Sequence, residues 1–285
     1  MTISHLLQQG KERLAAAGIE NADGDAWCLL EFVTGISKTW YLCNREQICS
    51  EEQKKQYKEL IEKRASCIPL QYLTGEQVFM GLSFMVNSDV LIPRQDTEVL
   101  VEEVLKKAED GWKVLDMCTG SGCILLSLAH FCRLKRAVGA DLQKEALEVA
   151  KQNEKRLKDK LRLEEYSAEW ICSDLFAQIK GKFDCIVSNP PYIPTAVIAE
   201  LAEEVKGHEP YLALDGGEDG LSFYRRLIKE AGNYFYPGGF LCLEIGFDQG
   251  EMVEVLLREN GFSEIERKKD LAGLDRVCMG RWNPI

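Results

Sequence analysis

From residue 112 onward, short apolar runs of strand length alternate with longer segments that have helical periodicity. The predicted strands are residues 113–117, 136–140, 169–172, 183–188, 240–245, 263–267 and 275–281, and the predicted helices are 97–108, 123–131, 144–157, 221–235 and 249–259. Regular alternation of this kind is typical of an α/β domain in which helices cover a mostly parallel sheet. The connection between the last two strands is too short for a crossover helix, so we expect them to pair antiparallel.

The first 75 residues lack this alternation and are predicted to be helical. Ser50 and Gln53 stand at the spacing of a capping box, which starts a long helix. Residues 77–92 then change to a period of two, with Gly81 at a turn, as in a β-hairpin. In a chain of 285 residues this pattern predicts two domains joined by a hairpin. Their predicted boundaries are 1–75 for the helical domain, 76–93 for the hairpin linker and 94–285 for the α/β domain.

The chain is acidic, with a formal net charge of −11. A surface built to grip nucleic-acid phosphates needs concentrated lysine and arginine, so direct nucleic-acid binding is not expected. No run of about 18 apolar residues occurs, which predicts that no segment spans a membrane. The N-terminus lacks the basic start and apolar stretch of a signal peptide, and a cytoplasmic location is therefore predicted.

The cysteines argue against disulfides and against a metal site. There are 11 of them, an odd number, and no Cys-x-x-Cys pair is present. Most lie in apolar runs, so we expect reduced, buried thiols; the examples are Cys28, Cys123, Cys185 and Cys242. The three histidines are too scattered along the chain to suggest metal binding.

The first predicted strand of the α/β domain leads into a glycine-containing turn, Cys118 to Gly122, and then into a helix. Glycines let the backbone approach a ligand closely, and a helix N-terminus presents free N–H groups. The third glycine of a dinucleotide fingerprint is replaced by Leu125, which makes the turn less suited to a diphosphate. Asp141, at the end of the next strand, is placed to accept hydrogen bonds from ribose hydroxyls. Asp174 and Leu175, after the third strand, fall where an adenine would lie.

The segment Asn189-Pro190-Pro191-Tyr192 directly follows the predicted strand 183–188. Two consecutive prolines make the loop stiff and remove two backbone donors. The side-chain oxygen of Asn189 and the carbonyl of Pro190 are acceptors beside one flat ring, Tyr192. Such a loop suits a planar group bearing an NH₂, whose two hydrogens bond to the acceptors while the ring stacks on its face. The structural alternative is a proline-rich turn after a strand.

With these motifs the chain resembles the protein-(glutamine N5) methyltransferases that modify peptide chain release factors. The resemblance covers nearly the whole length and is carried by residues 69–75, 91–94, 116–122, 189–192, 219–221, 243–246 and 270–273. The segment 189–192 alone is shared with enzymes that methylate the amino group of adenine. The helical N-terminal region and the segments 69–75 and 91–94 distinguish the two groups.

The resemblance implies a seven-stranded, Rossmann-like class I methyltransferase sheet that uses S-adenosylmethionine, releases S-adenosylhomocysteine and needs no metal. It implies that the partners are peptide chain release factors and that the acceptor is the glutamine of their Gly-Gly-Gln loop, whose methylation tunes translation termination. The helical domain contains no chemical motif of its own, and we predict that it recognises this substrate; the alternative is that it only covers the α/β domain and maintains its solubility. The implied cofactor contacts are Cys118, Thr119, Gly120, Ser121, Gly122, Asp141, Asp174, Leu175 and Asn189. The implied substrate-binding residues are Asn189, Pro190, Pro191 and Tyr192, of which Asn189, Pro190 and Tyr192 are the catalytic ones.

The chain departs from the family pattern at three places. Cys118 stands where glycine is usual, Leu175 where many relatives place a tryptophan, and Gln95-Asp96 where Pro-Glu is frequent. Two other functions use the same features: an adenine-N6 methyltransferase acting on DNA or RNA, and a non-catalytic adaptor with a vestigial cofactor site. The low basicity of the chain counts against the first, and the presence of both Asp141 and Asn189 counts against the second.

Overall fold

The computed structural model describes residues 1–164 and 168–283. Contacts divide the chain into two compact units, residues 1–76 with 202–208 and residues 77–201 with 209–285. The sequence-based boundaries instead place 202–208 with the α/β domain.

The helices are α1 Ile3–Ala16, α2 Ala22–Thr34, α3 Lys38–Asn44, α4 Glu51–Ala65, α5 Leu70–Thr74, α6 Asp96–Leu105, α7 Cys123–Phe131, α8 Lys144–Leu157, α9 Glu203–Lys206, α10 Tyr211–Leu214, α11 Ser222–Ala231 and α12 Gly250–Glu259. The strands are β1 Glu76–Phe79, β2 Leu82–Met85, β3 Trp112–Met117, β4 Leu134–Asp141, β5 Glu169–Cys172, β6 Phe183–Ser188, β7 Phe235–Glu244, β8 Phe262–Lys269 and β9 Asp275–Trp282. Short 3₁₀ turns lie at Lys158–Lys160, Leu175–Gln178, Thr195–Glu200 and Gly232–Tyr234.

The smaller unit is a helical bundle around its own apolar core, to which α1, α2 and α4 contribute. The capping box is present at the start of α4: Ser50 accepts from Gln53 N–H, and the Gln53 side chain accepts from Ser50 N–H. A buried ion pair joins Arg64 of α4 to Asp25 of α2 at 2.7 Å, and Arg64 also pairs with Glu204 of α9 at 2.8 Å. Breaking a buried pair such as Arg64–Asp25 costs several kcal/mol, and the more exposed pair with Glu204 connects the segment 202–208 to the same arginine.

The larger unit is built on a seven-stranded sheet with the order β5-β4-β3-β6-β7-β9-β8. The strands β5, β4, β3, β6 and β7 run parallel, and β9 is antiparallel to both β7 and β8. Both faces of the sheet are covered by apolar clusters of buried side chains. The predicted α/β fold and the antiparallel closing pair are therefore confirmed.

The hairpin of β1 and β2 turns at Met80 and Gly81, which both have positive φ angles, 50° and 72°. Two left-handed residues in succession match the twist of a two-residue hairpin. Asn153 of α8, fully buried, accepts from Met85 N–H at 2.7 Å and donates to the carbonyls of Met85 at 3.0 Å and Ser121 at 2.9 Å. One side chain thus joins the hairpin to the turn that follows β3.

The prediction was wrong around β7. The helix α11 ends at Ala231, before its predicted end at 235, and β7 begins at Phe235 instead of residue 240. The register jumps from Phe183↔Phe235 to Cys185↔Phe240, so the chain from 236 to 239 bulges out of the ladder. Apolar pairing of Phe235 with the neighbouring strand extends β7 across the Pro-Gly-Gly sequence that was expected to precede it.

Two other expectations differ from the structure. Cys28, which was expected to be buried, is exposed on α2, whereas Cys123, Cys185 and Cys242 are buried. The chain between β6 and α11 was not assigned any element, and it forms the 3₁₀ turn Thr195–Glu200 followed by α9 and α10. Helices of four residues are too short to give a periodic pattern in a sequence.

Gly139 of β4 leaves room for the indole of Trp170 on the neighbouring strand. It pairs with Trp170 of β5, and a Cβ at residue 139 would lie 2.4 Å from Trp170 Cζ3. The same indole would lie 2.9 Å from a Cβ at Gly122, and its Nε1 donates to Glu154 at 2.7 Å. Trp170 therefore fills the space that two glycines leave free beside the turn after β3.

We expect Gly139→Ala to lower the free energy of unfolding by about 1–3 kcal/mol, because the added methyl group displaces a ring held in place by a hydrogen bond. In a Trp170→Leu background the same change should cost much less, and urea unfolding of all four proteins measures this coupling. Equal costs in the two backgrounds would show that the indole does not set the requirement for glycine.

Candidate active site

The candidate site lies where the carboxyl ends of the central strands meet. Met117 of β3 pairs with Ala140 of β4 and with Ser188 of β6, and Ser188 pairs with Leu243 of β7. From β3 the chain adds β4 and β5 on one side of the sheet, and then β6 and β7 on the other. The loops after β3 and β6 therefore diverge and leave a crevice, which is where ligands bind in open α/β folds.

The turn after β3 depends on left-handed backbone conformations. Cys118, Gly120 and Gly122 have φ angles of 60°, 53° and 77°, and Gly122 caps the N-terminus of α7. Cys118 is not a glycine, yet it adopts the left-handed conformation, which costs a non-glycine residue roughly 1–2 kcal/mol. Thr119 fixes the turn, since its N–H donates to Ala140 O at 3.0 Å and its carbonyl accepts from Gly122 N–H at 2.9 Å.

Asp141 links the ends of β3 and β4. Its Oδ2 accepts from Gly120 N–H at 2.9 Å, and its Oδ1 accepts from Gln143 N–H at 3.0 Å. Burial raises the pKa of this carboxyl, while the backbone N–H groups act in the opposite direction. A carboxylate has about four acceptor positions, so Asp141 can hold the turn and still accept hydrogen bonds from a ligand.

Asp116, at the end of β3, is completely buried beneath the same turn. Thr119 Oγ1 donates to its Oδ2 at 2.5 Å, and Oδ1 has no hydrogen-bond partner among the described residues. Burial raises the pKa of Asp116 to about 7, although the hydrogen bond from Thr119 lowers it. Asp116 was not among the predicted site residues, and the one signal in the sequence that could have pointed to it is a carboxylate within an apolar strand.

The segment 189–192 leaves β6 with both prolines buried. Asn189 Nδ2 donates to Thr97 Oγ1 at 3.4 Å, and Tyr192 OH donates to Glu244 Oε1 at 3.4 Å. Behind the loop, Gln249 Nε2 donates to the carbonyl of Tyr192 at 2.9 Å. The loop is thus anchored by side chains from α6, β7 and the start of α12.

A second backbone segment, residues 209–217, packs alongside this loop. Ile193 N–H donates to Leu214 O at 3.0 Å, and its carbonyl accepts from Gly216 N–H at 2.8 Å. Glu209, buried, accepts a hydrogen bond from Arg94. The segment was not predicted to take part in the site, and the short helix α10 within it carried no sequence signal.

A cavity of about 370 Å³ opens between these loops. Seven of the predicted site residues line it: Cys118, Thr119, Gly120, Ser121, Asp141, Asn189 and Pro191. The lining residues that sequence reasoning missed include Thr97, Leu212, Ala213 and Phe223. The volume is in the range of small-molecule sites, and the two predicted halves of the site, after β3 and after β6, face one space.

Five predicted site residues do not line this cavity: Gly122, Asp174, Leu175, Pro190 and Tyr192. Asp174 is exposed and pairs with Arg226 at 2.8 Å. Leu175 is buried in the apolar core, with a φ angle of 46°. The part that these two residues were expected to play beside an adenine therefore stays a prediction.

Membrane-spanning helices and clusters of metal ligands are both absent from residues 1–164 and 168–283. No helix in these ranges is long and apolar enough to cross a membrane. Within the same ranges, no three or more histidine, cysteine, aspartate or glutamate side chains are grouped so that they could hold a metal ion.

Comparison with known proteins assigns both parts of the chain. Residues 5–75 match the family described as PrmC N-terminal domain, and residues 94–205 match the family described as Methyltransferase small domain. The fold is similar to that of a methyltransferase from Pyrococcus furiosus, with a TM-score of 0.53, 19% identity and coverage of 72% of this chain and 90% of that one. The seven-stranded sheet thus has the fold of a Rossmann-like methyltransferase.

The sequence is also similar to proteins that are named release factor glutamine methyltransferase. The release factor glutamine methyltransferase of Moorella thermoacetica is 41% identical over 283 residues, covering 98% of each chain. That of Geobacter sulfurreducens is 40% identical over 281 residues, covering 98% of this chain and 96% of the relative. The chain belongs to the release factor glutamine methyltransferase family, as its motifs predicted.

Asp116 gives a prediction about pH. Its pKa is about 7 in the folded protein and about 3.9 in an unfolded chain, so the folded state binds the proton more tightly. Folding stability from this group is full below about pH 4 and is lost as the pH rises toward 7. Asp116→Asn removes this loss, and its stability relative to the wild type should therefore rise between pH 4 and 7 and then level off.

Urea unfolding of both proteins at several pH values measures this difference. Glu244, whose pKa is also raised by burial to about 7, is present in both proteins and its contribution cancels. A difference in unfolding free energy that does not change with pH would contradict the assignment.

Proposed function

We propose that the protein transfers the methyl group of S-adenosylmethionine to the side-chain amide nitrogen of the glutamine in the Gly-Gly-Gln motif of a peptide chain release factor. The observation that carries the proposal is one cavity onto which the turn 118–121, Asp141 and Asn189 converge. The names of the relatives, which match over nearly the whole chain, support the same acceptor.

The residues around the turn after β3 suit the cofactor. Asp141 presents a half-buried carboxylate at the end of β4, as a ribose diol requires. Gly120 has nothing within 4 Å of a would-be Cβ, so this stretch of backbone is open to a ligand. S-adenosylmethionine, when bound, supplies a methyl group on a positively charged sulfur.

The loop after β6 suits the acceptor. A carboxamide nitrogen is a poor nucleophile because its lone pair is delocalised into the carbonyl. Asn189 Oδ1 accepts no hydrogen bond from the described residues, and with the carbonyl of Pro190 it can take the two N–H hydrogens of a glutamine side chain. These bonds would orient the nitrogen and favour its rehybridisation, so that catalysis is chiefly positioning and electrostatics. The proton departs after transfer, when the nitrogen has become acidic.

Two single substitutions should separate the acceptor from the cofactor. Asn189→Ala removes a preorganised polar contact and should lower kcat by about 10²-fold, with a smaller loss of S-adenosylmethionine affinity than Asp141→Ala causes. Asp141→Ala should weaken S-adenosylmethionine binding by about 1.5–3 kcal/mol, the range for hydrogen bonds to a charged group. Calorimetry and a methyl-transfer assay on purified release factor measure the two effects.

The same assay includes an adenine-containing oligonucleotide as a second substrate. Methylation of the oligonucleotide in preference to the release factor would overturn the proposed acceptor. Near-wild-type turnover by Asn189→Ala would overturn the role of the loop.

We propose further that the helical unit selects the release factor. It exposes large apolar side chains, with Leu42 of α3 at 74% and Ile48 at 71% of their full exposure. Apolar side chains exposed to this extent are available to contact another protein. A short acceptor peptide would not reach beyond the cavity, whereas an intact release factor has a second surface to offer.

The double variant Leu42→Ser, Ile48→Ser should therefore lower kcat/KM on intact release factor by about fivefold or more, with little effect on a short Gly-Gly-Gln peptide. Val255→Ser, which changes an exposed apolar residue of α12, is the matched control. If protein and peptide are affected equally, the helical unit does not select the substrate.

A further inference from the structure

Thr97 occupies a position from which it can control the amide of Asn189. It lies in the first turn of α6, is 2% exposed and lines the cavity. Its Oγ1 accepts from Asn189 Nδ2 at 3.4 Å. With the NH₂ group of Asn189 directed at Thr97, the carbonyl oxygen of the same amide is left for a ligand.

A hydroxyl alone does not fix this orientation. It can accept from the NH₂ group of an asparagine or donate to its carbonyl oxygen, and the two arrangements present opposite ends of the amide to the cavity. Only the first leaves an acceptor for the NH₂ of a glutamine. The orientation is decided by where the single hydrogen of the Thr97 hydroxyl goes.

Glu244, at the end of β7, is the neighbouring group that can take this hydrogen. It is 2% exposed, and burial raises its pKa while the nearby Thr97 hydroxyl lowers it. Oε1 already accepts from Tyr192 OH. Oε2 has no partner at hydrogen-bonding distance and angle among the described residues, so it is the acceptor that remains open.

We infer that Glu244 and Thr97 are positioning residues that orient Asn189, with the carboxylate taking the Thr97 hydrogen so that Asn189 Oδ1 faces the acceptor amide. Glu244 also holds the hydroxyl of Tyr192, and one carboxylate therefore acts on both ends of the 189–192 loop. This inference rests on the proposed function and extends it to two residues that sequence reasoning did not assign.

The charge of Glu244 is set by groups from three elements. Arg276 of β9 lowers its pKa and Asp96 of α6 raises it, while the hydroxyls of Thr97 and Tyr192 lower it. Arg276 is shared, because it also pairs with Asp270 at 3.0 Å and with Asp96 at 3.4 Å. Burial outweighs these contacts and raises the pKa of Glu244 to about 7. The carboxyl can accept from Thr97 when it is ionised, so kcat should fall on the acid side of about pH 7.

The test compares Thr97→Val, Thr97→Ser and Glu244→Gln with the wild type, on a Gly-Gly-Gln peptide and on intact release factor. Thr97→Val keeps the shape but removes the hydroxyl, and should lower kcat about tenfold, the worth of one hydrogen bond. Its S-adenosylmethionine affinity, measured by calorimetry, should stay within about twofold of wild type. Thr97→Ser restores the hydroxyl and should recover most of the activity. Thr34→Val, in which the lost hydroxyl donates to Leu30 O and accepts from Ile36 N–H and does not line the cavity, is the matched control.

The pH profile separates positioning from packing. Glu244→Gln should lower kcat and remove the acid limb, whereas Asp116→Asn should keep that limb, although Asp116 also has a pKa of about 7. A Thr97→Val variant with wild-type kcat, an unrescued Thr97→Ser, or an acid limb that persists in Glu244→Gln would overturn the inference. A wild-type protein inactive on both substrates would overturn the proposed function, and the positioning role with it.

Discussion

The parallel pairing of β3 with β4 on one side and β6 on the other is the constraint on which the site depends. Because Met117, Ala140 and Ser188 stand at one level in the sheet, the three loops that follow them start from a common edge. The register of the strands alone brings Asp141 and Asn189 to the same cavity, whatever the sequence of the loops. Consecutive prolines stiffen the loop after β6, and glycines allow the turn after β3 to adopt its left-handed conformations.

This arrangement places two carboxyl groups, Asp116 and Glu244, at the buried ends of β3 and β7, the strands on either side of β6. Both have a pKa raised by burial to about 7, so each opposes folding when it is ionised. Asp116 lies under the turn after β3 and Glu244 under the loop after β6. The protein thus carries an electrostatic cost beneath each half of its cavity, which is the pattern expected of groups retained for function.

Much of the fold could be predicted because the sheet strands are short apolar runs with clear ends. The helices α7 and α8 and the strands β5 and β6 have their predicted bounds. The meeting of Asp141 with Asn189 also followed, from the rule that parallel strands share a carboxyl edge. Local patterns that depend on neighbouring residues were sufficient for these elements.

The rest depends on tertiary contacts that no local pattern encodes. The bulge in β7 exists because Phe235 pairs with Phe183 across the sheet. The segment 209–217 is held beside the loop by backbone hydrogen bonds to Ile193. Thr97 lines the site from α6, more than 90 positions before Asn189 in the sequence. Cys28 was misassigned because an apolar stretch on a helix does not say which residue faces solvent. Asp174 and Leu175 follow the expected strand, but Asp174 pairs with Arg226 and Leu175 packs in the apolar core.

Asn153 has a consequence for how the larger unit opens. Its one amide group satisfies both backbone groups of Met85 and the carbonyl of Ser121, and it is completely buried. The hairpin cannot separate from α8 without leaving a buried amide unpaired beside the turn after β3, a loss of about 1–3 kcal/mol. In hydrogen-exchange terms, the hairpin, α8 and the turn should therefore open as one cooperative unit, and a ligand held by the turn would slow exchange in a hairpin that it never touches.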